Sequence, residues 1–302
     1  MHPAAWTTAP DHPISRAMQD KLDPMMTPFV KMHGLGNDFV VIDARTRAFR
    51  PDQALAAAIA DRKRGIGFDQ MLVIRRPEDP RADAFMSIYN ADGGEVEACG
   101  NGTRCIAKRV MAETGNDRAI IETVVGLLDS RAAPDGLVAV DMGKVKTEWQ
   151  EIPVAEACDT LHMPLELGPL SDPVGGNVGN PHATFFVNDL GAVDLATLGP
   201  ALETHAFFPE HANIGVAQVI SRSRARLRVW ERGVGETRAC GTGACAAAVA
   251  CIRRGLTDRD VTIELLGGPL EMTWHPDGHI IMTGPATSSY VGAFDAAELM
   301  RR

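Results

Sequence analysis

Gly94-Glu95-Val96-Glu97-Ala98-Cys99-Gly100-Asn101-Gly102 and Gly235-Glu236-Thr237-Arg238-Ala239-Cys240-Gly241-Thr242-Gly243 are two versions of one segment. Counted from Cys99 to Cys240 they stand 141 positions apart, and that offset aligns a glutamate, the alanine, the cysteine and three glycines without a gap. Each cysteine precedes a Gly-x-Gly and a helical stretch, which places it at a helix N-terminus; Gly115 and Gly255 end the two helices. A chain with one reactive side chain in duplicate reads as two homologous halves. Two like acid/base groups on opposite faces of one carbon are what stereoinversion needs.

Outward from these motifs the same order of elements is read twice. Phe29–Met32 and Phe39–Ile42 are strands about the turn Gly34-Leu35-Gly36-Asn37-Asp38. A helix follows from near Asp52 through the Ala-rich stretch to a stop at Gly65, then strands at 71–74 and 84–89, and a helix at about 101–113. Strands near 120–125, 128–132 and 137–142 form an antiparallel meander, with a turn at Pro134-Asp135-Gly136. The second half reads as strand 183–187, helix 195–204, strands 215–220 and 226–230, an Ala-rich helix to Arg254, and strands 261–265, 270–274 and 280–282. Fainter echoes pair Gly36-Asn37 with Gly179-Asn180, and Ile66-Gly67 and Gln70 with Ile214-Gly215 and Gln218.

The fold class is therefore α+β: two pseudo-symmetric domains, each a mostly antiparallel sheet or barrel wrapped around a central helix, with the motifs facing each other across the boundary. The domains are placed at 27–145 and 146–286. Residues 1–26 lack periodicity and an apolar signal-peptide core, and read as a disordered extension or as the product of an early start, with Met25 or Met26 the true beginning.

Composition excludes several function classes. A net charge of −9 and 5 % aromatic residues argue against nucleic acid as a partner. Arg222, Arg224, Arg226 and Arg228 alternate as the outward face of a strand. No apolar run approaches the roughly 20 residues of a membrane span. The six cysteines Cys99, Cys105, Cys158, Cys240, Cys245 and Cys251 are too few and too uneven for a disulfide scaffold and form no CxxC pair for zinc. They read as free thiols in a reducing compartment, with no metal site. Neither Gly-x-Gly is followed by the Lys-Ser/Thr of a phosphate loop. None of Lys21, Lys31, Lys63, Lys108, Lys144 and Lys146 stands in a context marking a Schiff base, so no cofactor is expected.

At a helix N-terminus the orphan N–H groups and the dipole favour anions. The Cys99 and Cys240 thiols, ordinarily titrating near 8.5, are expected to be lowered there. The N–H groups of Gly100, Asn101, Gly241 and Thr242 can cradle a substrate carboxylate while one thiolate removes an α-proton and the opposing thiol returns one.

These motifs resemble the diaminopimelate epimerases, pyridoxal-phosphate-independent enzymes of bacterial lysine and peptidoglycan precursor synthesis. The resemblance runs from about Phe29 to Tyr290. It rests on Lys31-Met32-His33-Gly34-Leu35-Gly36-Asn37-Asp38-Phe39, Gly65-Ile66-Gly67-Phe68-Asp69-Gln70, Asn90-Ala91-Asp92-Gly93, Gly179-Asn180-Pro181-His182, Glu231-Arg232-Gly233 and the two cysteine motifs. It implies Cys99 and Cys240 as interchanging base and acid. Asn37, Gln70, Asn90, Asn180 and Asn213 would line the pocket with Glu231 and Arg232, and the backbone of Gly100, Asn101, Gly241 and Thr242 would hold the carboxylate. His182 and Glu231 would tune the site. It also implies a last strand, about 287–302, returning to the first domain, a cytoplasmic homodimer, and conversion of LL-2,6-diaminopimelate to the meso form. The chain departs from the family pattern in its N-terminal extension and its Ala-rich end. Competing readings are a proline-racemase-like isomerase, a non-enzymatic amino-acid binder and a thiol redox sensor. The asparagine set with Arg232 weighs against the first and retention of both cysteines against the second; a disulfide between the facing Cys99 and Cys240 is expected as a reversible liability of the site rather than its purpose.

Overall fold

The computed structural model of the protein describes Asp23, residues 25–96 and residues 99–301. The extension expected over 1–26 lies almost wholly outside those residues, as do Glu97 and Ala98 of the first motif.

The first half runs β1 (Met26–Gly34), β2 (Asn37–Asp43), α1 (Gln53–Ala60), β3 (Gln70–Arg75), β4 (Ala84–Asn90), β5 (Glu95–Val96), α2 (Gly100–Thr114), β6 (Arg118–Thr123), β7 (Gly126–Ala132) and β8 (Val138–Lys144). A small hairpin, β9 (Glu166–Leu167) and β10 (Leu170–Ser171), intervenes. The second half then runs β11 (Val174–Asn177), β12 (Pro181–Phe186), α3 (Leu195–Glu203), β13 (Asn213–Ser221), β14 (Arg224–Glu231), β15 (Gly235–Thr237), α4 (Gly241–Arg253), β16 (Asp260–Leu265), β17 (Gly268–Trp274) and β18 (His279–Gly284). Finally come β19 (Thr287–Asp295) and α5 (Ala296–Met300).

Strand pairing repeats as faithfully as element order. In the first half β1–β2 is antiparallel, β2–β3 parallel, β3–β4 and β4–β5 antiparallel, β4–β6 parallel, and β6–β7 and β7–β8 antiparallel. β11–β12 through β17–β18 give the same series. The parallel pairs fall where a helix crosses between strands, because parallel neighbours need a long connection. The halves join where β8 meets β18 antiparallel, with Val140 opposite Met282, and β19 returns to lie along β1. The result is the sheet-dominated, pseudo-symmetric two-domain α+β fold that the sequence implies.

The central helices sit where the sheet curls round them. Gly100 to Ala107 of α2 are all buried, and α4 is buried from Gly243 to Cys251. The alanines of α4 are strong helix formers and small enough for the sheet to close against them. On β2, β3 and β4 the run of buried residues divides by parity: Val41, Leu72, Ile74, Met86 and Ile88 face α2, whereas Val40, Ile42, Met71, Val73 and Tyr89 join the core under α1. Strands covered on both faces read as continuous apolar runs, and strands with one wet face alternate. β6 and β16 alternate in this way. The arginines of β14 form the outward face expected, with Arg224 and Arg226 each 3.2 Å from Glu264.

Two readings change. Helix α1 ends at Ala60 rather than at Gly65. Gly65 is instead a packing position, where a Cβ would come within 2.2 Å of the Ala58 carbonyl oxygen. The echo of Gln70 in Gln218 is not structural. Phe39 lies opposite Gln70 and His182 opposite Asn213, so the mate of Gln70 is Asn213. Among the described residues no helix is long and apolar enough to cross a membrane.

Candidate active site

Cys99 and Cys240 occupy the same local geometry. Each is the N-cap of its helix in extended conformation, and each Sγ accepts the N–H of the residue three positions on, Gly102 or Gly243, at 3.3 Å. The second glycine of each motif is tightly packed: a Cβ on Gly102 would stand 3.0 Å from the Leu72 side chain, and one on Gly243 2.9 Å from that of Val229. The first glycines converge on one side chain. Cβ atoms on Gly100 and Gly241 would lie 2.7 Å and 3.2 Å from Met282, so the two helix N-termini meet around it. The first N–H groups of each helix have no intrahelical acceptor, and both sets open on this junction.

Asn101 spans the junction. Its Nδ2 donates to the Ala239 carbonyl, just before Cys240, at 2.9 Å and to Asn37 Oδ1 at 3.2 Å. Asn37 reaches this place because Leu35 and Gly36, at φ 56° and 86°, turn the chain tightly before β2. Its Oδ1 lies 4.0 Å from Cys99 Sγ, and its Nδ2 donates to Asp69 Oδ2 at 3.2 Å. Asp69 is a residue whose part sequence reasoning missed, although it stands inside one of the motifs quoted above. Gln70 Nε2 donates to Asn90 Oδ1 at 3.0 Å, a contact set by their opposition across β3–β4.

The second half presents the equivalent positions with different chemistry. Asn180 follows Gly179 as Asn37 follows Gly36, and its Oδ1 lies 2.9 Å from His182 Nε2. Asn213 donates to the Pro181 carbonyl at 2.9 Å and accepts the Arg232 N–H at 3.0 Å, so its amide is held by backbone at both ends. Glu231 takes the place of Asn90, nine residues before the cysteine. It is half-buried, accepts a hydrogen bond from Thr237 Oγ1 and touches the Cys240 thiol. Thr242 Oγ1 lies 3.6 Å from Cys240 Sγ. Arg232 is exposed, with Nη1 donating to the Glu210 carbonyl at 2.9 Å.

The electrostatics reverse one expectation. Burial pushes the Cys99 thiol up to about 11 and the Cys240 thiol well above its usual range, and the nearby Glu231 adds to both. The N–H donors at the helix ends pull the other way but are outweighed, because removing a thiolate from water costs more than one or two oriented dipoles return. Both resting thiols are therefore protonated at neutral pH. Burial raises Glu231. His182 is lowered by burial, and further by Arg232, to about 3, which leaves its ring neutral.

Sequence comparison agrees with this geometry. The diaminopimelate epimerase family model matches residues 29–148 and 176–289. Diaminopimelate epimerases of Rhodospirillum centenum and Acidiphilium cryptum are each 53 % identical to the chain, over 89 % and 90 % of it and 92 % and 98 % of their own lengths. In fold the chain is similar to a hydroxyproline epimerase from Agrobacterium vitis (TM-score 0.64, 15 % identity, covering 90 % of this chain and 94 % of that one). It is also similar to a PhzF-family phenazine biosynthesis protein from Bacillus anthracis (TM-score 0.61, 16 % identity, 89 % and 99 %). With the family motifs matched in both halves and the paired cysteines at the junction between them, the chain belongs to the diaminopimelate epimerase family.

Proposed function

We propose that the protein converts LL-2,6-diaminopimelate to the meso form by two-base chemistry carried by its own thiols. The observation that carries this reading is the pair of cysteines capping two helices whose N-termini meet around Met282 and Asn101. With the substrate α-carbon between them, one sulfur as thiolate takes the α-proton and the opposing thiol delivers a proton to the other face. No covalent bond to sulfur forms, and the enzyme is left with its protonation pattern swapped, the former thiolate now a thiol and the former thiol a thiolate.

Carbanion charge spreading into the α-carboxylate meets the first N–H groups of Gly100, Asn101, Gly241 and Thr242, oriented before reaction. Glu231, in contact with Cys240, accepts its proton when the substrate ammonium arrives and makes charge separation favourable. Asn37, Gln70, Asn90, Asn180 and Asn213 shape the pocket, and Arg232 pairs with the distal carboxylate through its planar fork. His182, neutral, orients Asn180.

The domains are assigned to 27–145 with 287–302, and to 146–286; this is supported by Val140 lying in the core around α2, Ile280 in the core around α4 and Phe294 of β19 packing with Phe29, while Val145 and Ala286, at the two crossing points, each pack into the other half's core. A cytoplasmic homodimer is the assembly assigned. It is supported by Tyr290 and Val291 exposed together on β19, and size-exclusion chromatography with light scattering tests it.

Reduced protein incubated with LL-diaminopimelate in deuterated water is expected to form the meso isomer with deuterium at the α-carbon. Absence of exchange by reduced wild type would sink the proposal. Cys99→Ala and Cys240→Ala should each lose about 10²-fold or more in turnover while keeping the wild-type circular dichroism spectrum.

A further inference from the structure

Arg104 lies on α2 just beyond the first turn from Cys99, and among the fully buried side chains it is the bulkiest. A charge out of water needs partners, and a lone one costs stability. Its Nε donates to the Pro285 carbonyl at 3.2 Å, Nη2 donates to Asn101 Oδ1 at 2.8 Å, and Nη1 sits 3.4 Å from Met282 Sδ. None of these is anionic, and among the described residues no carboxylate pairs with it. The acidic groups that its charge acts on are the thiols of Cys99, Cys105 and Cys245. Cys105 and Cys245 are enclosed in the two cores, whereas Cys99 is only partly covered and faces the site.

We propose that Arg104 is a positioning residue of this site: a resident counter-charge for the Cys99 thiolate, whose fork also fixes the Asn101 amide between the two motifs. Because Nη2 can only donate, Asn101 must present Oδ1 to it. Nδ2 is thereby directed to Asn37 Oδ1 and the Ala239 carbonyl, the contacts that tie one cysteine's surroundings to the other's. The charged group opposing Arg104 at Cys99 is Glu231 on β14; the N–H groups of Asn101 and Gly102 act with the arginine. The arginine thus works against burial and the neighbouring carboxylate, both of which favour the protonated thiol. The inference rests on the two-thiol reading above.

The test reads thiol chemistry without substrate, so it can fail independently of that reading, whose own failure appears as missing deuterium exchange. Iodoacetamide alkylation of Cys99 is followed by peptide mass spectrometry as a function of pH. Arg104→Gln can still donate an N–H to Asn101 Oδ1 but carries no charge. Its alkylation midpoint should move up by about one unit, making Cys99 about tenfold slower below the midpoint. Arg104→Lys keeps the charge but not the fork, and should hold the wild-type midpoint while kcat falls about tenfold through misplacement. An unchanged midpoint in a folded Arg104→Gln overturns the proposal. If that variant does not fold, Arg104→Lys decides: a retained midpoint supports the counter-charge, and an upward shift overturns it.

Discussion

At each motif cysteine one sulfur has two jobs that pull in opposite directions. As an N-cap, Sγ accepts an N–H and gains from negative charge; as a buried thiol it loses its water and resists becoming negative. Burial outweighs the cap, so the reactive state must be made by the groups beside the sulfur and by the substrate. Glu231 is the decisive neighbour, because it raises both thiols while resting against only one. Glu231→Gln removes that negative charge, so the Cys240 alkylation midpoint should move down. The same substitution removes the proton acceptor, and kcat should nonetheless fall by about 10²-fold or more. A variant with a more acidic thiol and undiminished turnover would show that Glu231 plays no part in proton transfer. Asn90, its mate in the first half, is amide rather than acid and cannot take up a proton as Glu231 does, although the Glu231 charge reaches Cys99 as well.

At the level of elements, the tip between β1 and β2 is where the two halves grip each other. Leu35 comes from the first half by sequence yet is buried in the core around α4, and a Cβ on Gly267 would lie 2.0 Å from its carbonyl oxygen. That neighbour is main chain and cannot rotate away. Gly267→Ala should therefore push the tip off its seat, destabilise the protein by about 1–3 kcal/mol and lower kcat by displacing Asn37. Urea denaturation and steady-state kinetics on one preparation measure both, and wild-type values in both would place the tip outside the mechanism. This grip was illegible in the sequence, where Leu35 is one apolar residue in a turn. Legible were the elements with strong local signals: the Asp52 cap of α1, the alanines of α4 and the stop at Gly115. Pairings set by register were not, and so Gln70 was matched to Gln218 instead of Asn213. Arg104 was hidden for a related reason, since a charge near a helix start reads as solvated until the sheet is seen to close over it.

For the molecule as a whole, the price of wrapping sheet around two cysteine-bearing helices is a set of thiols whose ionisation burial opposes. Burial raises Cys105, Cys245 and Cys251 to about 12, Cys99 to about 11 and Cys240 well above its ordinary range. In the unfolded chain each titrates near 8.5. The folded state thus binds these protons more tightly than the unfolded state. Their contribution to stability is fully present below about pH 8.5 and is lost as pH rises toward the folded values. Between about pH 9 and 11 each such thiol adds a downward slope of up to about 1.4 kcal/mol per pH unit. Cys245 and Cys251 lie in the alanine-rich stretch of α4, where alanine is already the prevailing residue. Cys245→Ala/Cys251→Ala should be less stable than wild type at pH 7 because two buried sulfurs are lost, but its stability should fall less steeply from pH 9 to 11. Urea midpoints measured under reductant across that range compare the slopes. Parallel curves for the two proteins would mean that alkaline unfolding begins elsewhere, and that the cores around the two helices admit water before their thiols ionise.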